Sequence, residues 1–360
     1  MNGKLLKKHI QLSPRMEITD AVKLIFQSEF GCGHLFNDLT GCADWIRREM
    51  AEAGEDAGME PATYIGGGMA RLNLASPDTA KLPPELIARM MQVSSQQQKS
   101  STERFEESLS LLAALADAGE TPFSADALMA YLADYKEAGY PVVSHSQRYR
   151  AAYQPAYRVV MSDFAVLLPA LIAIEEALKE NKNPAVVIDG DCGAGKTTLA
   201  ALLACLYDTK PIQMDDFFLP FEMRTKERMM QAGGNVHYER FASEVLCGMA
   251  QHEPFTYQAF DCQSGMMHAK QYIPIGVTLI EGSYSHHPYF DEAYKKLDVI
   301  KVFVWVDEAE QQRRLTNRNP LMLERFQNQW IPLEKKYFKA YDMKARANFA
   351  LRSVTWEDEE

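Results

Sequence analysis

The chain has 360 residues and a formal net charge of −11, with 47% hydrophobic and 24% charged residues. That is a globular composition, long enough for two cores of ordinary size, and its acidic balance argues against nucleic acid or an anionic membrane surface as a partner. The six cysteines, Cys32, Cys42, Cys192, Cys205, Cys247 and Cys262, form no CxxC pair and no zinc-ligand spacing, which excludes a disulfide framework and fits reduced thiols.

The start, MNGKLLKKHIQLS, has no apolar core of signal-peptide length. The longest apolar run, residues 164–174, is too short to span a bilayer and contains Pro169, so the expectation is a cytoplasmic protein without a membrane anchor. Residues 1–150 read as a mostly α-helical domain. Thr19 and Asp20 can cap a helix running to Phe30, Pro83-Pro84-Glu85 opens another, and Ser124-Ala125-Asp126 a later one. Apolar residues recur at helical spacing between them, and strands are scarce. Glu29, Cys32 and His34 gather near one helix end, where a helix stop with a buried cysteine is preferred over a metal or nucleophile site. The segment Tyr64 to Arg71 is glycine-rich but lacks a following Lys-Ser/Thr, so it reads as a loop. Ser144 to Arg150, with Tyr153, Tyr157 and Arg158, mixes basic and aromatic residues; it could present a ligand surface, and packing of the two halves is the preferred reading.

Residues 151–183 form a connecting helix and linker, and 184–360 a second domain of different periodicity. There, short apolar runs at 185–188, 277–280 and 299–306 read as strands, with helices near 237–252 and 307–318. Such alternation predicts an α/β fold, a parallel sheet with helices on both faces.

The run Ile188 to Ala200, IDGDCGAGKTTLA, satisfies GxxxxGKT between a strand and a helix. Its residues Gly190, Asp191, Cys192, Gly193, Ala194, Gly195, Lys196, Thr197 and Thr198 are the candidate triphosphate cradle, because glycine-rich backbone can turn its N–H groups inward at a helix N-terminus. Lys196 would reach the β and γ phosphates and the Thr197 hydroxyl would ligate Mg2+. Asp215 and Asp216 follow a short strand, and Glu281 ends another, where a metal-binding or proton-accepting acid would stand. The helix after Asp307 carries Arg313, Arg314 and Arg318; the last two share a face and could close over phosphates as a lid.

Taken together, GDCGAGKTT, MDDFF, GGNVHYERF, LIEGSYSHHP, RRLTNRNP and WIPLEKKYF resemble, in order, bacterial uridine kinase-like proteins of the uridine kinase, phosphoribulokinase and pantothenate kinase group. The resemblance covers about residues 184–340. It implies a P-loop kinase with ATP and Mg2+ as cofactors, Asp215 as the base near the metal, Glu281 as a second metal acid, and Arg314 and Arg318 as lid arginines, with Asp216 in support. It also implies that a small-molecule acceptor meets His237, Tyr238, Arg240, Tyr257, Phe260 and Asp261, although Gly265 stands where a base-reading histidine would be. His286 and His287 read as ordinary loop histidines.

The function expected is phosphoryl transfer to a hydroxyl of a uridine- or cytidine-like nucleoside or a similar metabolite. The alternatives are a kinase for a non-nucleoside alcohol and a regulatory ATP-binding module whose helical half engages a partner. A homo-oligomer is left open. The absence of NKxD and LSGGQ disfavours a GTPase and an ABC-type ATPase.

Overall fold

In the computed structural model the structure describes residues 1–33, 38–180 and 182–353; His34 and Asn181 lie outside the described residues. The chain divides into two compact units, residues 1–168 and a second running from Pro169 to the end of the described chain. The division falls inside the helix Ser162–Lys179.

The first unit is largely helical. Its helices include Gly3–Leu12, Ile18–Phe30, Leu39–Ala53, Pro84–Gln97, Thr102–Asp117 and Ala125–Glu137. Local chemistry sets their starts: Ser124 accepts from the Ala127 N–H, Pro84 opens its helix, and Asp20 bonds back to the Glu17 N–H at 3.0 Å in a capping box. The cap of Ile18–Phe30 is thus Glu17, one turn earlier than Asp20 alone would place it.

The segment read as a loop is instead a β-hairpin. Strands β1 (Ala62–Gly66) and β2 (Met69–Asn73) pair antiparallel, and β3 (Tyr157–Met161) adds to β2. The glycines make the turn, and Gly67, at φ +59°, passes so close to the Ser28 carbonyl that a Cβ there would sit 2.0 Å from it. The glycines therefore mark a turn and a close backbone approach, which composition cannot tell from a loop.

The second unit is an α/β sheet. Strands β4 (Ala185–Gly190), β5 (Pro211–Gln213), β8 (Thr278–Glu281), β9 (Ile300–Trp305) and β10 (Phe349–Arg352) are all parallel, in the order β10-β9-β4-β8-β5. A separate antiparallel hairpin, β6 (Phe255–Phe260) and β7 (Met267–Tyr272), interrupts the alternation. β4 is buried along its whole length, as expected of a central parallel strand. The chain leaves β4 for the edge at β5, returns to β8, then crosses to β9 on the far side of β4. That reversal opens a crevice at the carboxyl ends of the strands, where such sheets bind ligands.

The last acid of β4 fixes this edge. Asp189 is fully buried and accepts from the N–H groups of Gly190 (2.7 Å), Tyr284 (3.1 Å) and His286 (3.0 Å) and from the Tyr337 hydroxyl (3.0 Å). His286 is therefore no ordinary loop residue: burial holds its ring neutral, and its Nε2–H donates to the Val187 carbonyl at 3.0 Å. Asp189→Ala should leave buried donors without an acceptor and cost about 3 kcal/mol or more in a denaturant titration. A loss below about 1 kcal/mol would show that this carboxylate does not tie the edge together.

Candidate functional site

The register of the strands gathers the predicted acids. Glu281 pairs with Ile188 of β4 and with Gln213 of β5, so Glu281, the loop after β4 and Asp215 all meet at one sheet edge. The first loop glycine is obligatory there: a Cβ on Gly190 would lie 1.8 Å from the Val304 carbonyl of β9. Helix Lys196–Tyr207 then begins at the loop and points its N-terminus into the crevice.

Lys196 Nζ donates to the carbonyls of Gly190 (2.8 Å) and Asp191 (3.0 Å), folding over the loop it follows. The exposed Thr197 donates its hydroxyl to the Glu281 carboxylate at 3.3 and 3.4 Å. Crowding by protein raises the Glu281 carboxyl above its usual range, and the neighbouring Asp215 charge raises it further against Lys196. Asp215 is reachable by water yet surrounded by protein, as a group on the floor of a cleft is. Its carboxyl is raised by that desolvation, opposed by Lys196 and Arg318. Among the described residues no hydrogen-bond donor occupies the Asp215 carboxylate.

Asp216, its neighbour, turns the other way. It is held by Lys270 Nζ of β7 at 2.8 and 2.9 Å and by the Tyr257 hydroxyl of β6 at 3.2 Å. Arg240 fastens the same corner: it donates to the Asp216 carbonyl at 2.9 Å and to the Gln258 carbonyl, and its guanidinium lies 4.6 Å from the Phe217 ring. The two adjacent acids thus differ in kind, one open to the crevice and one locked into the hairpin corner.

The remaining acceptor-side candidates spread along the hairpin and the segment before it. Tyr238 is stacked on His287 (4.5 Å) beneath the Arg228 guanidinium (3.9 Å), and the buried His287 packs parallel to Tyr337. His287 is accordingly a packing residue. His237 caps the turn Tyr238–Phe241 by accepting from the Arg240 N–H at 3.2 Å. Phe260 meets Phe221, and Asp261 closes the β6–β7 turn by accepting from Gln263, Ser264 and the Ser264 hydroxyl. Gly265, at φ +71°, completes that turn. Asp261 and Gly265 therefore serve the hairpin's own geometry.

The candidate lid arginines also differ. Arg314 is held by Glu310 (2.5 Å) and by the Ser353 hydroxyl (2.8 Å), whereas Arg318 is exposed and acts on Asp215, Glu281 and Cys192 by charge. In the loop itself, Asp191 accepts from the Val306 N–H at 3.1 Å, and Gln311 donates to the Cys192 carbonyl at 2.7 Å. Gly193, Ala194, Gly195 and Thr198 lie in the same turn and first helical residues.

One participant was not evident from the sequence. Glu334, on helix Ile331–Tyr341, is buried and accepts from the Cys192 N–H of the loop at 2.9 Å and from the Ser283 hydroxyl at 2.6 Å. Burial pushes its carboxyl up to about 7, against the pull of Lys196. It lies within WIPLEKKYF, but that motif alone gives it no role, because its partners are far away in sequence.

Lys196, Thr197, Glu281 and Asp215 fit a nucleotide phosphate with Mg2+: a cation, a hydroxyl and two carboxylates face one crevice. Among the described residues no three His, Cys, Asp or Glu side chains converge into an all-protein metal cage. A cavity of about 400 Å³ lined by Ala177, Pro184, Met249, Thr278 and Ile300 opens at the opposite, amino ends of the strands. Among the described residues no helix is long and apolar enough to cross a membrane.

No protein-family model and no curated protein sequence matches the chain. Solved structures similar to part of it include these two. One, described as a possible uridine kinase from Bacillus stearothermophilus, is 16% identical over 49% of this chain and 96% of its own, with a TM-score of 0.36. The other, the YGR205w protein, is 11% identical over 52% of this chain and 94% of its own, with a TM-score of 0.37.

The Glu334 carboxyl yields a pH test. Its folded value lies above the ordinary 4.5, so the stability linked to its proton is complete below about pH 4.5 and falls as pH rises toward about 7. Glu334→Gln should flatten the stability–pH curve over that window by roughly 2–3 kcal/mol in unfolding titrations of the unliganded protein. Curves for the two proteins that stay parallel would refute the assignment.

Proposed function

We propose that this protein is an ATP-dependent kinase that phosphorylates a hydroxyl of a small molecule, a nucleoside or a similar metabolite alcohol. The observation that carries the reading is the pairing of unlike acids: Asp215 stands open in the crevice beside Lys196 and Glu281, while its neighbour Asp216 is bound to Lys270 and Tyr257. A passive nucleotide sensor has no need of an unengaged carboxylate at that position.

ATP with Mg2+ would supply the transferable phosphoryl group and the neutralising divalent charge. The chain's own contributions follow from its geometry. The loop 190–197 offers backbone N–H groups and Lys196 a mobile positive charge that can exchange its two carbonyl partners for phosphate oxygens. Thr197, Glu281 and Asp215 would hold the metal through their oxygen atoms. Asp215, with a carboxyl raised by its surroundings, accepts the proton of the acceptor hydroxyl and aligns it. Arg318 is placed to add charge at the crevice mouth, while Arg314 braces its helix against the loop and Ser353.

The acceptor class rests on the corner formed by Asp216, Tyr257, Lys270 and Arg240, which presents polar atoms next to Asp215. A polar, polyhydroxylated acceptor suits it better than an apolar alcohol.

Incubating the protein with ATP, Mg2+ and a panel of nucleosides and metabolite alcohols, and reading added phosphate by mass, tests the proposal. Lys196→Ala should lower kcat/KM by about 100-fold or more, and Asp215→Asn should lower kcat by about 100-fold with little change in KM for ATP. Full phosphotransfer by Lys196→Ala, or ATP binding with no acceptor phosphorylated across a broad panel, would overturn it.

A further inference from the structure

The first unit, taken by itself, contains a polar cluster that P-loop chemistry does not use. Asp20, Lys23 and Gln27 follow one another at spacings of three and four along helix Ile18–Phe30 and share a face. In the sheet, Arg71 of β2 pairs with Val159, and Tyr157 lies two residues along β3 on the same face. The segment 143–150 supplies His145, Ser146 and Arg150.

The contacts are dense and mostly neutral. Asp20 is fully buried and accepts from the Ser146 N–H (2.9 Å), the Ser146 hydroxyl (2.7 Å) and His145 Nδ1 (2.8 Å). His145 Nε2 lies 2.6 Å from the Tyr157 hydroxyl, which is 3.2 Å from Gln27 Oε1. Gln27 Oε1 in turn takes Arg71 Nε (3.1 Å) and Nη2 (2.8 Å), and the guanidinium lies 4.4 Å above the Tyr157 ring.

The charges in this cluster do not balance. Lys23 Nζ donates to the Val143 carbonyl at 3.1 Å and Arg150 Nε to the His145 carbonyl at 3.2 Å. Among the described residues no carboxylate forms an ion pair with Lys23, Arg71 or Arg150, and Asp20 is already engaged. Arg71 is only 7% exposed, and a cation so enclosed is costly unless an anion meets it. Among the described residues several donors also have no hydrogen-bond partner: Arg71 Nη1, both Nη atoms of Arg150 and the rest of the Lys23 ammonium. Burial and the charges of Arg71 and Arg150 hold Lys23 down at about 8, so all three side chains act on one another. Burial likewise keeps His145 neutral near pH 7, so the cluster carries three cations against one carboxylate.

We propose that this cluster is a binding site for the phosphate group of a small phosphorylated molecule, held by Arg71, Lys23 and Arg150. A phosphate monoester carries nearly two negative charges at neutral pH, which matches the surplus. A planar arginine fork beside a lysine point charge suits its oxygens, and three cations gathered about one hydrogen-bonded cluster suit a single phosphate better than the extended stripe a polyanion requires. The site lies wholly in the first unit and stands whether or not the second unit is a kinase.

Equilibrium dialysis of the full chain against radiolabelled inorganic phosphate at pH 7 and low salt tests it. The chain carries Lys196→Ala so that the P-loop does not contribute, and circular dichroism checks the fold of each variant. Saturable binding at one phosphate per chain is expected, weakened about tenfold or more by Lys23→Gln and by Arg150→Gln. Arg148→Gln, an exposed neighbour, should leave it unchanged. Absence of saturable binding, indifference to both cluster substitutions, or an equal loss with Arg148→Gln would overturn the proposal.

Discussion

The second unit is organised around the buried carboxylate of Asp189. A charge without solvent is tolerated only when its lone pairs are met, and here four donors meet it from β4 itself, from the loop after β8 and from helix Ile331–Tyr341. Those donors cannot be satisfied unless the loop after Glu281 curls back over β4 and Tyr337 enters the core. The same helix then carries Glu334 to the Cys192 amide and the Ser283 hydroxyl. One buried acid therefore sets the backbone on both sides of the phosphate crevice, and a second, one helical turn away, touches the loop directly.

The hairpin β6–β7 solves a related problem of electrostatics. Two adjacent aspartates at a strand end repel one another, and Asp216 does raise the carboxyl of Asp215. Lys270 and Tyr257 take up Asp216, and Arg240 pins its carbonyl, so that Asp215 alone remains open to the crevice. The hairpin thereby contributes to the site through second-hand contacts, by deciding which of two identical side chains is available.

The first unit uses charge differently. Its interior contains an aspartate, a histidine, a tyrosine and a glutamine in one hydrogen-bonded chain, closed by an arginine that has no acidic partner among the described residues. Elsewhere in that unit two arginines do meet carboxylates: Arg104 meets the buried Glu29, and Arg158 meets Glu49 while stacking on Trp45. Among the described residues the cluster around Arg71 has no such carboxylate for its cations, and that contrast sets its chemistry apart.

The sequence by itself determined the P-loop, the strands at β4, β8 and β9, and the helix after Asp307, because each is written in consecutive residues: an apolar run, a glycine turn, a 3.6-residue period. It also named Lys196, Thr197, Asp215 and Glu281, whose side chains the parallel register gathers at one edge. Only the tertiary structure decided what depends on distant partners. It turned the Tyr64–Arg71 glycines into a hairpin, made His286 and His287 core residues, separated Asp215 from Asp216, and brought Glu334 to the loop. It also joined Gln27 to Arg71 and Tyr157 across 44 and 130 positions of chain. Local pattern specifies backbone and turn, whereas the state of a buried charge is set by whichever donors the fold delivers to it, and no short window of sequence contains them.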